Sequence, residues 1–221
     1  MKRMNLVAVS ILALGLCASA SLALAKTPAP KEGSKPVTKT QAATTSPSST
    51  VKEFYTQLVG TMKQGDQLGY AGRFKKLEPT IKSAYNLPLM TRLAVGPAWE
   101  KATASEQEQL ISAFSDFSVA NYASRFAKYD GEQFEVTGEK PVSGGVIVET
   151  KLTPKDGEAV VLNYMMRPDE KGEYRIVDVF LDGSISELAT RRAEFTSIVT
   201  REGLPALVNS LGAKSKQMGP S

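Results

Sequence analysis

The chain has 221 residues, 42% hydrophobic and 23% charged, with 27 basic residues, 23 acidic ones, one cysteine and no histidine. This is globular usage, enough for one core of respectable size. Cys17 lies in a stretch read below as a leader, so the remainder has neither thiol nor imidazole, which excludes disulfide scaffolds, haem attachment, thiolate or imidazole metal sites, Cys-His nucleophiles and Ser-His-Asp triads.

Lys2 and Arg3 precede an apolar run from Leu6 to Leu16, and Ala23-Leu24-Ala25 places small residues where signal peptidase needs them. Residues 1–25 are therefore expected to be a secretory signal peptide cleaved before Lys26, giving an exported protein. A retained membrane anchor is the alternative, although the run is short for a span. Cys17 follows Leu14-Gly15-Leu16, a lipoprotein-like box with leucine where a small residue should stand.

Removing Lys2 and Arg3 from the 27 basic residues leaves 25 against 23 acidic ones, a net charge of +2. The basic residues are scattered, and clusters such as Arg73-Lys75-Lys76 and Arg191-Arg192 read as solvated helix faces, so no nucleic-acid partner is expected. Carboxylate chemistry is what remains, yet no DxDxDG loop is present and the acids lie singly among lysines. The expectation is no enzyme, no metal and no cofactor.

Residues 26–49 are Thr, Pro, Ser, Ala and Lys with hardly a large apolar side chain; such a segment cannot offset its ordering entropy and is expected to be a disordered linker. A single folded domain is expected over 50–212. Val51, Phe54, Tyr55, Leu58, Val59 and Met62 recur at helical spacing up to Gly65. A second helical piece covers Tyr70 to Leu77, and Pro79 opens a third through Ile81 to Tyr85. After the break at Asn86-Leu87-Pro88, Leu89, Met90, Leu93 and Ala94 form a short helix stopped by Gly96-Pro97. Thr103 and Glu106 have capping-box spacing and start a long helix with Leu110, Ile111, Phe114, Phe117 and Tyr122 on one face.

Beyond Asp130-Gly131 the period changes from 3.6 to 2. Phe134 and Val136 begin one strand, Val146 to Leu152 a second, Ala159 to Arg167 a third and Tyr174 to Leu181 a fourth, separated by Gly-containing turns. Ser184 or Ser186 caps a helix carrying Leu188, Arg192, Phe195 and Ile198/Val199. Gly203 ends it, Leu204, Leu207, Val208 and Leu211 make a last short helix, and 213–221 are expected to be a flexible tail. The fold class is α+β, a four-stranded antiparallel meander packed by several helices. The helices bring more large apolar side chains than one sheet face needs. Two arrangements fit: a solid core, or an apolar cavity between helices and sheet where methionine adapts to varied ligands.

Several motifs carry a resemblance: FYTQL in the first helix, RFKKLEPTI from Arg73, YNLPLMTRLAVGPAW from Tyr85 to Trp99, EQEQLISAF with NYASRF after it, and the YRIVDVFLDGSIS junction leading to RRAEF. In this order and spacing, from Val51 to Leu211, they resemble the MlaC or toluene-tolerance auxiliary family of periplasmic lipid-binding proteins. The ISELATRRAEF ending is similar to its hopanoid-associated HpnM branch. The resemblance implies a cavity that takes lipid tails, with phospholipid or hopanoid carried across the periplasm between an inner-membrane transporter complex and an outer-membrane partner. On that reading Leu89, Met90, Leu93, Trp99, Phe114, Tyr122, Tyr164 and Met166 are tail-contact candidates, and each fits an ordinary core equally well. Arg73, Arg92 and Arg125 are candidates for head groups or docking, with solvated surface charge as the alternative. Asp178 is expected to accept backbone or arginine hydrogen bonds in a structural role.

Overall fold

The computed structural model describes residues 45–219. The expected signal peptide, its cleavage site and the linker up to residue 44 lie outside the described residues. The chain orders as α1 (Pro47–Met62), α2 (Gly65–Ala84), α3 (Leu87–Val95), a 3-10 turn (Gly96–Lys101), α4 (Ala104–Arg125), β1 (Gln133–Val142), β2 (Gly145–Thr153), β3 (Val160–Pro168), β4 (Tyr174–Leu181), β5 (Ile185–Ser186), α5 (Glu187–Glu202) and α6 (Leu204–Gln217). No helix among the described residues is long and apolar enough to cross a membrane.

The first helix starts three residues before the expected boundary. Ser46 accepts a hydrogen bond from the Ser49 amide and Pro47 opens the first turn, where its missing N–H costs nothing. The two short helices expected around Pro79 are one: α2 runs through that proline to Ala84. Leu77 and Ile81 are both fully buried, so packing on either side holds the turn that the proline weakens. The break comes instead at Gly69, whose φ of 59° is left-handed and suits glycine. Gly65 is needed for a different reason. A Cβ built there would lie 1.8 Å from the Ala127 carbonyl oxygen, so only glycine lets the start of α2 meet the end of α4.

The capping box of α4 forms as read: the Thr103 amide donates to Glu106 Oε2 at 2.8 Å and the Glu106 amide to Thr103 Oγ1 at 3.3 Å. Tyr174–Leu181 is a strand over the expected span. The sheet, however, has five strands rather than four, in the order β1-β2-β3-β4-β5, all neighbours antiparallel. Asp182 and Gly183, with φ of 48° and 72°, reverse the chain in the manner of a primed hairpin turn and set Ile185 opposite Leu181 and Ser186 opposite Phe180. A two-residue strand has no periodicity from which to be read. Residues 213–217, expected in the flexible tail, are helical, because α6 continues to Gln217.

The helices lie against the sheet without sharing it equally. α1 packs on β1, β2 and β4, α3 and α5 sit by β4, and α4 packs chiefly on α6 and α2. The junction of α2 and α3 reaches the sheet through its backbone: Tyr85 bridges to Ile176 and the Asn86 amide donates to the Ile176 carbonyl at 2.9 Å. This fixes Tyr85 at the meeting point of α2, α3 and the sheet.

Candidate functional site

Where helices meet the inner sheet face, Phe54 of α1 is the hub of a ring cluster. Its ring centroid lies 5.7 Å from Tyr55, 5.6 Å from Tyr85, 5.4 Å from Tyr122 and 6.4 Å from Tyr164, three of these four pairs being edge-to-face, the arrangement aromatic quadrupoles favour. Phe126 stacks on Tyr122 at 5.5 Å, and Phe134 joins it to Tyr55 at 6.1 and 4.9 Å. Phe54, Tyr55, Tyr85 and Tyr164 are buried, whereas Tyr122, Phe126, Phe134 and Val136 are half-buried. The seam is thus sealed at one end and thins toward solvent at the other.

Hydroxyl groups thread this apolar space. Tyr55 Oη lies 2.7 Å from Thr150 Oγ1 and 3.1 Å from Tyr164 Oη, and Thr150 donates to the Leu162 carbonyl. Separately, the hydroxyls of Tyr85 and Tyr122 bond to each other. Burial pushes the Tyr55 hydroxyl up to about 12, and drives those of Tyr85, Tyr122 and Tyr164 well above the ordinary tyrosine value, because an isolated phenolate loses its hydration there. All four stay neutral across physiological pH. At neutral pH the seam therefore presents aromatic rings and uncharged hydroxyls.

The expected tail-contact residues divide. Tyr122, Tyr164 and Met166 belong to the seam, with Met166 fully buried on β3. Phe114 belongs to a second ring group between α4 and α5, 6.5 Å from Phe117 and 5.9 Å from Phe195. Met90 and Trp99 are buried in the same continuous core, while Leu89 and Leu93 on α3 are half-buried. Sequence reading did not single out Phe54, Tyr55, Tyr85 or Thr150 as site residues. Their signals were present: Phe54 and Tyr55 share the apolar stripe of α1, and Thr150 keeps the alternation of Val148 and Leu152.

The arginines do not converge. Arg73 Nε donates to the Ala123 carbonyl at 2.8 Å and Nη1 to the Gly65 carbonyl at 2.9 Å, which makes it a clamp between α2 and the last turns of α4 rather than a free cation. Arg92 is exposed and pairs with Glu100 at 2.8 Å, and Arg125 is exposed with Nε on Asn121 Oδ1 at 2.8 Å. Asp178 is buried and accepts from the Leu188 amide at 3.0 Å and from Ser186 Oγ at 2.6 Å. It ties the N-terminus of α5 to β4, the backbone role expected of it.

Two open grooves lie on the helical side. One of about 860 Å³ runs between α2, α4 and α6, past Tyr70, Phe74, Ala113 and Val208. The other, about 430 Å³, is bounded by Tyr85, Leu87, Pro88 and Ile111. None of the expected site residues lines either groove. The ring cluster lies in the core between helices and sheet, away from both grooves except at Tyr85.

Helices gathered over one face of an antiparallel meander, with an aromatic seam between the layers, define a two-layer α+β fold. The MlaC protein family matches residues 52–213, and the chain belongs to that family. Among solved structures it is similar to a phospholipid-binding protein from Ralstonia solanacearum, determined in complex with a phospholipid, at 22% identity over 76% of this chain and 96% of that one, with a TM-score of 0.67. At that identity the likeness establishes the fold.

Proposed function

We propose that this chain is a periplasmic lipid carrier, exported with its leader removed, that takes lipid tails into the seam between α1, α4 and the sheet and passes them between inner- and outer-membrane complexes. The observation that carries this reading is the seam: an uncharged ring cluster that is half-buried at Tyr122, Phe126, Phe134 and Val136, in a chain of the MlaC family. Rings held by side-chain contact, with α4 packed mainly on α6 and α2, can part without breaking sheet hydrogen bonds. The phospholipid in the Ralstonia protein supports the same class of cargo.

The physical need is plain. Exposing about 30 methylene groups at ~0.8 kcal/mol each costs on the order of 24 kcal/mol, so unaided escape from a bilayer takes roughly a day per molecule. A carrier of this kind needs apolar volume and an adaptable lining but no reactive group.

The test is gentle purification from the native host followed by organic extraction and mass spectrometry. Phospholipid or hopanoid at a stoichiometry near one per chain supports the carrier, and the masses decide between the two cargoes. Protein free of lipid under these conditions overturns it.

A further inference from the structure

The larger of the two open grooves takes no part in the ring cluster. It is the gap left between α2 and α6 over α4, which packs on both, and its volume of about 860 Å³ lies within the roughly 300–1,000 Å³ of small-molecule pockets. Tyr70 and Phe74, their rings 6.3 Å apart, line it from α2, Val208 and Gly212 from α6, and Ala113 from α4. A side chain at Gly212 would meet nothing within 4 Å, so the space beside α6 is empty there. Tyr70 reaches across to α6, its hydroxyl donating to the Ser215 carbonyl at 3.5 Å. From Val208 to Lys216 the wall runs about 12 Å along the helix axis.

The walls choose among occupants. They are helices, whose backbone amides are already bonded within the helix, so an extended peptide pressed between them would leave its own amides unpaired. A hydrocarbon chain has none to satisfy. Two charged side chains stand on the walls, Asp116 and Lys216. The neighbouring ion pairs are Lys214 with Glu194 and Lys82 with Glu78, and among the described residues neither Asp116 nor Lys216 enters one. Loss of water raises the Asp116 carboxyl above its ordinary value, against the pull of Lys82. A lipid head carrying both a phosphate and an ammonium group meets each side chain with the opposite sign, whereas a purely anionic head meets Asp116 with its own. The groove is also continuous with the seam. Ser112 and Asp116 line the smaller groove as well, and that one reaches Tyr85, whose ring lies 5.6 Å from that of Phe54.

From these walls we infer that the groove between α2, α4 and α6 is a second lipid site, taking one acyl chain of a zwitterionic phospholipid along Tyr70, Phe74 and Gly212 with its head group at Asp116 and Lys216. The inference rests on the carrier reading for the class of ligand and adds to it a site on the helical side, joined to the seam at Tyr85. A tail resting here is partly out of water before the rings of the seam part.

Delipidated full-length protein is incubated with vesicles of phosphatidylcholine whose acyl chain ends in a photoreactive diazirine, then irradiated and digested, and the labelled peptides are read by mass spectrometry. Labels are expected on the peptides carrying Tyr70, Phe74 and Gly212, alongside those of the seam. Gly212→Leu places bulk in the open space and displaces at least two methylenes of the ligand, which predicts roughly a tenfold loss of label in the groove. Gly60→Leu, equally open but lining neither groove, leaves it. Phosphatidylglycerol with the same chain should label the groove about threefold less, the scale of a charge contact at a surface, and Asp116→Asn should remove that difference. The wild-type map needs no substitution and stands whatever a variant does to folding. Labels confined to peptides of the seam, groove label untouched by G212L, or equal labelling by the two lipids would overturn the groove site while leaving the carrier intact, and a dimer that falls apart in G212L would assign the groove to a second copy instead. Wild-type protein that takes up neither lipid overturns the carrier reading and the groove site together.

Discussion

Replacing Phe54 by alanine tests whether the seam is merely core or is also the place where ligand enters. Phe54 is 1% exposed and touches four tyrosine rings. Deleting a buried phenylalanine costs about 3–5 kcal/mol through lost transfer energy and the void left behind, and the edge-to-face contacts place this position at the upper end, near 5 kcal/mol. For a domain of this size each kcal/mol lowers Tm by roughly 2–4 °C, so lipid-free F54A should melt about 10–20 °C below lipid-free wild type. If hydrocarbon occupies the space between these rings, it fills the void, and the gap should shrink by more than half when both proteins are saturated with dioleoyl phosphatidylcholine. Calorimetric melts of the four samples provide the readout. An equal loss with and without lipid would refute the placement of the ligand in this seam, and a lipid-free loss below about 1 kcal/mol would refute the account of Phe54 as the hub.

Arg73→Gln removes the charged donors to the Gly65 and Ala123 carbonyls and should cost about 2–4 kcal/mol in urea denaturation while leaving lipid occupancy unchanged; lost occupancy in a still-folded variant would return Arg73 to a head-group role. Gly65→Ala drives a methyl into the Ala127 carbonyl and should destabilise by more than about 2 kcal/mol, whereas Gly60→Ala, with nothing within 4 Å, should be neutral or stabilising by a few tenths of a kcal/mol. Alkaline titration followed by phenolate absorbance should find Tyr55, Tyr85, Tyr122 and Tyr164 still protonated above the ordinary tyrosine value of 10.0. A raised folded-state value favours the neutral form, so this stabilisation is complete below pH 10, where unfolded tyrosine begins to ionise, and fades as pH climbs toward 12 for Tyr55; Y55F should flatten the loss over that window, and an unaltered profile would remove Tyr55 from the buried network.

Local signals were legible wherever they repeat or cap. The helical stripe of α1, the capping box at Thr103 and Glu106, the strand Tyr174–Leu181 and the hydroxyl cap before α5 each depend on residues within one or two turns, so the chain order alone contains them. Pro79 misled because its penalty is local while the burial of Leu77 and Ile81 that overrides it is not. β5 escaped because two residues carry no period.

What the sequence determined by itself was the chemistry: past Cys17 there is no thiol and no imidazole, no DxDxDG loop is present, and apolar residues exceed what a sheet face requires. What only the tertiary structure decided was which of those apolar and hydroxylic residues meet. Tyr85 and Tyr122 stand 37 positions apart, Tyr55 and Thr150 95 apart, and no periodicity relates such pairs. Their contact follows from the backbone anchoring of Tyr85 at Ile176 and from α1 lying across β1 and β2. Burial energy depends on composition and can be estimated from a list of residues, but a hydrogen bond needs two particular atoms within about 3 Å, and only the folded chain fixes that distance.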